Sequence, residues 1–288
     1  MRDFGGRVVA ITGAGSGIGR ALAHELARRG AHLALSDVDE EGLAETVLTC
    51  ERSPVRVTPT TVDVADRDAV FSWADDVVER HGKVDVIVNN AGVGLGATVE
   101  AQSIGDVEWL MGIDFWGVVH GTQAFLPHLR ANGEGHVVNI SSVFGLISIP
   151  GQSAYNAAKF AVRGYTDALR MELEIADEGI SSTTIHPGGV RTNIARNARM
   201  DETMALVGAG PDAAADLFDR LARTSPEAAA REILRSVERN RRRAVVGPDG
   251  LLLDLVSRLP AGVHQRLLIA DARRAATTHP RPDPISAT

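Results

Sequence analysis

Residues 7–19 read Arg7-Val8-Val9-Ala10-Ile11-Thr12-Gly13-Ala14-Gly15-Ser16-Gly17-Ile18-Gly19. An apolar run, Arg7 to Thr12, leads into a glycine-rich turn, and helix-period spacing follows from Gly17 to Arg29. A strand covered on both faces reads as such an unbroken run. Glycines permit the tight turn and let the backbone approach a pyrophosphate. The helix start adds unpaired N–H groups and the positive end of its dipole. Alone, a glycine-rich run could be a mere turn. Between a strand and a helix, at the head of an alternating chain, it reads as a dinucleotide cradle.

The alternation continues outward. Strand candidates are His32 to Ser36, Val55 to Val62, Val84 to Asn89, His136 to Ile140, Ser182 to His186 and, late in the chain, Arg243 to Gly247. Between them lie helix candidates Glu40 to Glu51, Arg67 to His81, one long helix from about Asp106 to Ala131, and Gln152 to Asp177. Strand and helix in repetition mean an open parallel sheet wound on both faces. The expected fold is therefore α/β, a Rossmann-like doubly wound parallel sheet of about seven strands. Residues 1–250 form one domain, with 193–224 as a substrate lid and 251–288 as a helical extension and tail. The alternative for 193–224 is a helical elaboration without function.

The 288 residues are 44% apolar and 23% charged, which excludes a disordered chain. A formal charge of −7 argues against nucleic acid as a partner. The single cysteine, Cys50, expected to be half buried, fits a reducing cytoplasm. No apolar run is long enough for a membrane helix, and the first strand begins too early to leave room for a signal peptide.

Asp37, just past the second strand, can accept hydrogen bonds from adenosine ribose hydroxyls and would repel a 2′-phosphate. Its neighbours Ser36, Val38 and Asp39 carry no cation, and Ser16 is neutral. NAD is favoured over NADP; the bland reading is a helix cap. A second constellation joins Ser142, Tyr155 and Lys159. Tyr155 and Lys159 lie four apart on a helix and share a face. A nearby ammonium favours the phenolate, and a tyrosine so tuned can take a proton from an alcohol or return one to a ketone. Spacing alone leaves a surface tyrosine and a solvated lysine equally open.

These pieces stand in a recognisable order: TGAGSGIG at 12–19, Asp37, Asp63-Val64, Asn89-Asn90-Ala91-Gly92, Ser142, YNAAK at 155–159, and His186-Pro187-Gly188 followed by Thr192. Over roughly residues 5 to 250 the chain resembles the short-chain dehydrogenases/reductases, of the classical type. The resemblance implies Tyr155 as general acid/base, and Lys159 binding the nicotinamide ribose and lowering the tyrosine pKa. Ser142 would orient the substrate oxygen. Gly13, Gly15, Ser16, Gly17, Ile18 and Gly19 would cradle the pyrophosphate. Asp63 and Val64 would border the adenine, and Asn90, Ala91 and Gly92 the adenine ribose. Pro187, Gly188, Val190 and Thr192 would hold the carboxamide. It further implies a homodimer or homotetramer, and the apolar stretch from Trp109 to Leu129 fits such an interface.

One position departs from the family pattern. An asparagine usually supports a proton-relaying water in the long fourth helix, and Asp114 stands there. Activity is expected to survive, and a carboxylate near Lys159 could hold that lysine charged. The substrate pocket should be lined by Val93 to Thr98, Val143 to Ile149 (Phe144 foremost) and the segment after Thr192. Its apolar side chains suggest a fairly apolar secondary alcohol or ketone. No metal is expected: His120 and His128 lack ligand spacing. Arg239 and Arg241 to Arg243 read as a solvated helix end or local ion-pair site. The rival functions are an NADPH-dependent carbonyl reductase and a catalytically silent dinucleotide-binding protein.

Overall fold

The computed structural model describes residues 3–207 and 222–277. In chain order the strands are β1 (Val8–Thr12), β2 (His32–Asp37), β3 (Val57–Thr61), β4 (Val86–Asn89), β5 (Leu95–Gly96), β6 (Gly135–Ile140), β7 (Ile180–Pro187), β8 (Arg199–Met200) and β9 (Arg243–Val246). Seven of them form one all-parallel sheet in the order β3-β2-β1-β4-β6-β7-β9; β5 and β8 pair separately. Every residue of β1, β4 and β6 is buried, as their apolar runs require. Alternate residues of β1 feed opposite faces. Val9 and Ile11 join a core with Leu22, Leu26, Ile233 and Leu234, whereas Val8 and Ala10 join one with Trp73, Val77, Phe125 and Leu129.

The helices on the two faces are α1 (Gly17–Arg28), α2 (Glu40–Cys50), α3 (Arg67–His81), α4 (Ile104–Met111), α5 (Gly117–Asn132), α6 (Ser153–Ala176), α7 (Met204–Val207) and α8 (Pro226–Glu238), followed by α9 (Pro248–Ser257) and α10 (Ala261–Thr277). The starts of α2, α3 and α8 are capped by Asp39, Asp66 and Ser225, whose side chains accept from backbone N–H groups of the first turn. The chain winds outward through β2 and β3, then crosses back to β4 on the other side of β1. That reversal opens a crevice beyond the carboxyl ends of the strands.

Three expectations need correction. The long helix over Asp106 to Ala131 is broken by a π-type turn, Gly112–Trp116, between α4 and α5. The helical extension expected from 251 is two helices rather than one, because Pro260 lacks the N–H that a continuous helix needs. Cys50 is fully buried, at the inner end of α2. Of the apolar stretch Trp109 to Leu129, the side chains of Leu110, Phe125 and Leu129 are spent inside the chain, and Trp116 faces outward.

The expected lid segment is pinned at both ends. β8 pairs with β5, and Arg199 stacks over Trp109 while bonding Asp106 at 2.7 Å. At the far end Thr224 bridges to Val190, with its carbonyl accepting from Arg191 N. Residues 208–221 and the tail from 278 lie outside the described residues. Among the described residues, no helix is long and apolar enough to cross a membrane.

Asp85 locks the opposite, amino-terminal end of the central strands β1 and β4. Fully buried, it accepts from Val8 N at 2.8 Å, Arg7 Nη1 at 2.8 Å and Lys83 Nζ at 3.0 Å. Burial pushes its carboxyl up, but these three donors outweigh that and hold it below the usual range. A depressed folded-state value contributes stability above the unfolded carboxylate range, lost as pH falls through the folded value. Asp85→Ala should cost about 2–3 kcal/mol in denaturant unfolding at pH 7, and the deficit should shrink in acid below about pH 4.

Candidate active site

The crevice is floored by a buried polar chain. Asn89, at the end of β4, donates through Nδ2 to Asn139 Oδ1 on β6 at 2.8 Å and to Thr122 Oγ1 on α5 at 3.2 Å. Asn139 Nδ2 then donates to Thr166 Oγ1 on α6 at 2.9 Å, and Thr166 donates to Val162 O at 2.7 Å. Two strands and two helices are thus fixed in register by polar groups with no access to water. A Cβ at Gly121 would fall 2.0 Å from Asn89 Oδ1, so only glycine lets α5 approach β4 this closely.

The glycine cradle rests on the same strand ends. Asn90 Nδ2 donates to Thr12 O and Gly13 O, both at 3.0 Å, and Thr12 Oγ1 accepts from Asn90 N and Ala91 N. Gly13 has φ +66°, and a Cβ at Gly19 would lie 2.1 Å from Gly13 O. Asp37, which is the last residue of β2, accepts from Gly15 N at 2.7 Å and Asp39 N at 3.0 Å. Arg20 also reaches the turn, donating to Gly15 O and Gly42 O, and its charge is met by Glu45 at 3.0 Å. Asp63 caps Ala65 N at 2.9 Å, and Val64 is buried against the α5 start. The methyl of Thr192 lies against Gly17.

Across the crevice stand the three chemistry-bearing side chains. The loop after β6 is drawn onto α6: Ser141 Oγ donates to Lys159 O at 2.8 Å, and Asn156 Nδ2 donates to Ile149 O at 2.9 Å. Ser142 Oγ accepts from Phe144 N at 3.1 Å and acts on the Tyr155 phenol in the direction of the phenolate. Lys159 Nζ lies 5.5 Å from the Tyr155 ring centre and 3.0 Å from Asp114 Oδ2. Asp114 Oδ1 accepts from Val93 N at 2.7 Å. Burial raises the Tyr155 phenol; Lys159 and the Ser142 hydrogen bond pull it down, Asp114 pushes it up, and the net is upward. The lysine's expected lowering of the phenol is therefore present but offset, by desolvation first and by Asp114 after it.

Two supports went unseen in the sequence. The His186 Nδ1 hydrogen donates to Ser142 O at 2.8 Å, and burial pushes this imidazole down to about 4, so it stays neutral and holds that tautomer. Asp249, at the start of α9, accepts from Gly189 N and lies against Gly188, fixing the Pro187–Val190 loop. Phe144 sits edge-on to Tyr155 at 6.3 Å, and Leu146 and Ile149 are half buried. Ile147 is fully buried. His120 bonds Val64 O and His128 meets Asp75, each a packing role.

A cradle at a β-strand end, an acid closing the second strand, and serine, tyrosine and lysine facing them are what a nicotinamide-dependent dehydrogenase requires. The family model for short chain dehydrogenases matches residues 7–203. The chain belongs to the short-chain dehydrogenase family. The oxidoreductase SadH of Mycobacterium tuberculosis is 49% identical over 271 residues, covering 94% of this chain and 96% of that one. A short-chain dehydrogenase/reductase from Burkholderia phymatum, solved in complex with NAD, superposes with TM-score 0.84 and 30% identity over the whole of both chains. Carveol dehydrogenase from Mycobacterium avium, also solved with NAD, gives TM-score 0.76 at 28% identity, over 88% of this chain and all of that one. The protein is thus a short-chain oxidoreductase. Its family uses NAD or NADP.

In this dehydrogenase Asn90 holds the cradle from behind, so Asn90→Ala removes two hydrogen bonds from it. Affinity for NADH, followed by reduced-nicotinamide fluorescence, should fall about tenfold, with the circular dichroism spectrum unchanged.

Proposed function

We propose that this oxidoreductase is an NAD-dependent dehydrogenase interconverting a fairly apolar secondary alcohol and its ketone. The observation that carries the reading is the convergence of Ser142, Tyr155 and Lys159 beyond the strand ends, facing a glycine cradle that ends at Asp37.

The residues fit a dinucleotide. An added Cβ at Gly19 would collide with Gly13 O and one at Gly13 with the Ala91 backbone, so glycine lets the turn pack tightly against the end of β4. The Gly13–Gly19 N–H groups and the α1 N-terminus would hold the pyrophosphate. Asp37 would take the adenosine ribose, since each of its oxygens keeps a lone pair beyond the bonds it already accepts. Arg20, the cation at the cradle turn, is committed to Glu45 and two carbonyls, which disfavours its use for a 2′-phosphate. Asp63 and Val64 would border the adenine, Asn90 to Gly92 the ribose beside it, and Pro187 to Thr192 the carboxamide. When bound, the nicotinamide supplies the hydride-accepting carbon.

The chain's own residues supply orientation and one proton. Ser142 would donate to the substrate oxygen, its backbone held by His186. Tyr155 would take the hydroxyl proton during oxidation and return it during reduction. Lys159 would bind the nicotinamide ribose and stabilise the phenolate. The segments Val93 to Thr98 and Val143 to Ile149 carry no charged side chain, which favours an apolar substrate. The segment from Asn193 would close over it as a lid, anchored by the β5–β8 pair. The assembly we propose is a homodimer or homotetramer, with outward-facing Trp116 in its interface.

Tyr155→Phe should lower kcat for oxidation of a responsive secondary alcohol by at least about a hundredfold and leave NADH affinity within a few-fold. Turnover near the wild-type level would overturn the assignment.

A further inference from the structure

The chain has two lysines, Lys83 and Lys159, and each is placed against a fully buried aspartate. Lys83 stays 39% exposed and can find water if its partner leaves. Lys159 is 4% exposed, and Asp114 not at all. Around the Lys159 ammonium, α6 contributes the Tyr155 ring one turn earlier, and β6 contributes the Ile140 carbonyl at 3.5 Å. The loop after β4 presents Gly92, where an added Cβ would sit 3.4 Å from the lysine nitrogen. The π-type turn contributes Asp114, whose carboxylate is the nearest opposite charge, at 3.0 Å. Among the described residues, the titratable groups that act on this lysine are Asp114 and Tyr155.

The geometry here suits a carboxylate at 114 better than an amide. Its Oδ1 accepts from Val93 N at 2.7 Å while its Oδ2 faces the ammonium. An asparagine has one acceptor oxygen and one donor amide. If its oxygen kept the Val93 bond, its NH₂ would point at the ammonium, donor against donor. If it turned round, the Val93 N–H would lose its acceptor.

We propose that Asp114 is a positioning residue that serves as the buried counter-ion of Lys159, holding it protonated and in place before any ligand arrives. Burial holds the Asp114 carboxyl above the usual carboxylate range, against the downward pull of Lys159 and of the Val93 N–H. Burial alone would lower Lys159, but Asp114 and Tyr155 together outweigh it and the net is upward. With Asp114 neutralised, a buried ammonium facing one long carbonyl contact loses its proton at a lower pH. The dehydrogenase would then acquire an alkaline limb that the wild type lacks. The functional consequence rests on the reading of Lys159 as the ribose-binding group; the protonation itself does not.

Two lysines make a direct test possible. In protein labelled with ¹³C-lysine, Lys83→Arg assigns the two side-chain Cε signals. In the wild type the Lys159 signal should not titrate below about pH 10. In Asp114→Asn it should titrate at least about one unit lower, and NADH affinity should drop with the same midpoint. Asp114→Ser serves as a second variant should the asparagine fail to fold. Coincident Lys159 titrations in wild type and a folded variant would overturn the proposal. A shifted titration with NADH affinity flat across that midpoint would keep the counter-ion and refute Lys159 as the ribose-binding group.

Discussion

The hydrogen-bonded chain Thr122–Asn89–Asn139–Thr166 is the constraint on which the site depends. An apolar core tolerates small slides between helix and sheet, because dispersion is not directional. A buried amide is different: it must meet its partner in geometry or forfeit the cost of leaving water. This chain therefore sets the height of α5 and α6 against the ends of β4 and β6. Ser142, Tyr155, Lys159 and Asp114 are carried on those elements or on the turns next to them. The cradle hangs from Asn90, next to Asn89. Ser142 lies three residues beyond Asn139. Tyr155 and Lys159 lie on the same helix as Thr166.

The site that results holds several opposed charges and buried dipoles at once. Lys159 would favour the phenolate of Tyr155, yet Asp114 offsets part of that help and burial opposes it. Such a balance leaves the tyrosine protonated in the resting chain. The arrangement is costly in desolvation and fits the usual pattern in which strained electrostatics gather where chemistry is done. The π-type turn belongs to the same arrangement: it interrupts an otherwise regular helix where Asp114 must reach Val93 and Lys159.

Much of this was readable from residue order. Apolar runs separated by helical spacing gave the sheet and its direction, because two-sided burial leaves strands little choice of composition. Glycine spacing gave the cradle, since close backbone approach admits no side chain at Gly13 or Gly19. The polar chain was not readable: Asn89 and Asn139 look like strand ends, and their partnership spans fifty residues. His186 and Asp249 were missed for the same reason, each acting on a backbone group far away in sequence. Polar residues inside otherwise apolar strands were the one available signal. The helix break at Pro260 was legible but masked by the leucine spacing, whereas the π-type turn leaves periodicity almost intact and is visible only in backbone hydrogen bonds.

The central claim is that the cradle, Asp37 and Lys159 form one NAD site. Fluorescence titration of the purified chain with NADH and NADPH tests it most directly, with Asp37→Ser alongside. Clearly tighter binding of NADH by the wild type, with the preference narrowed in Asp37→Ser, is the predicted result. Equal or tighter binding of NADPH by the wild type would contradict it.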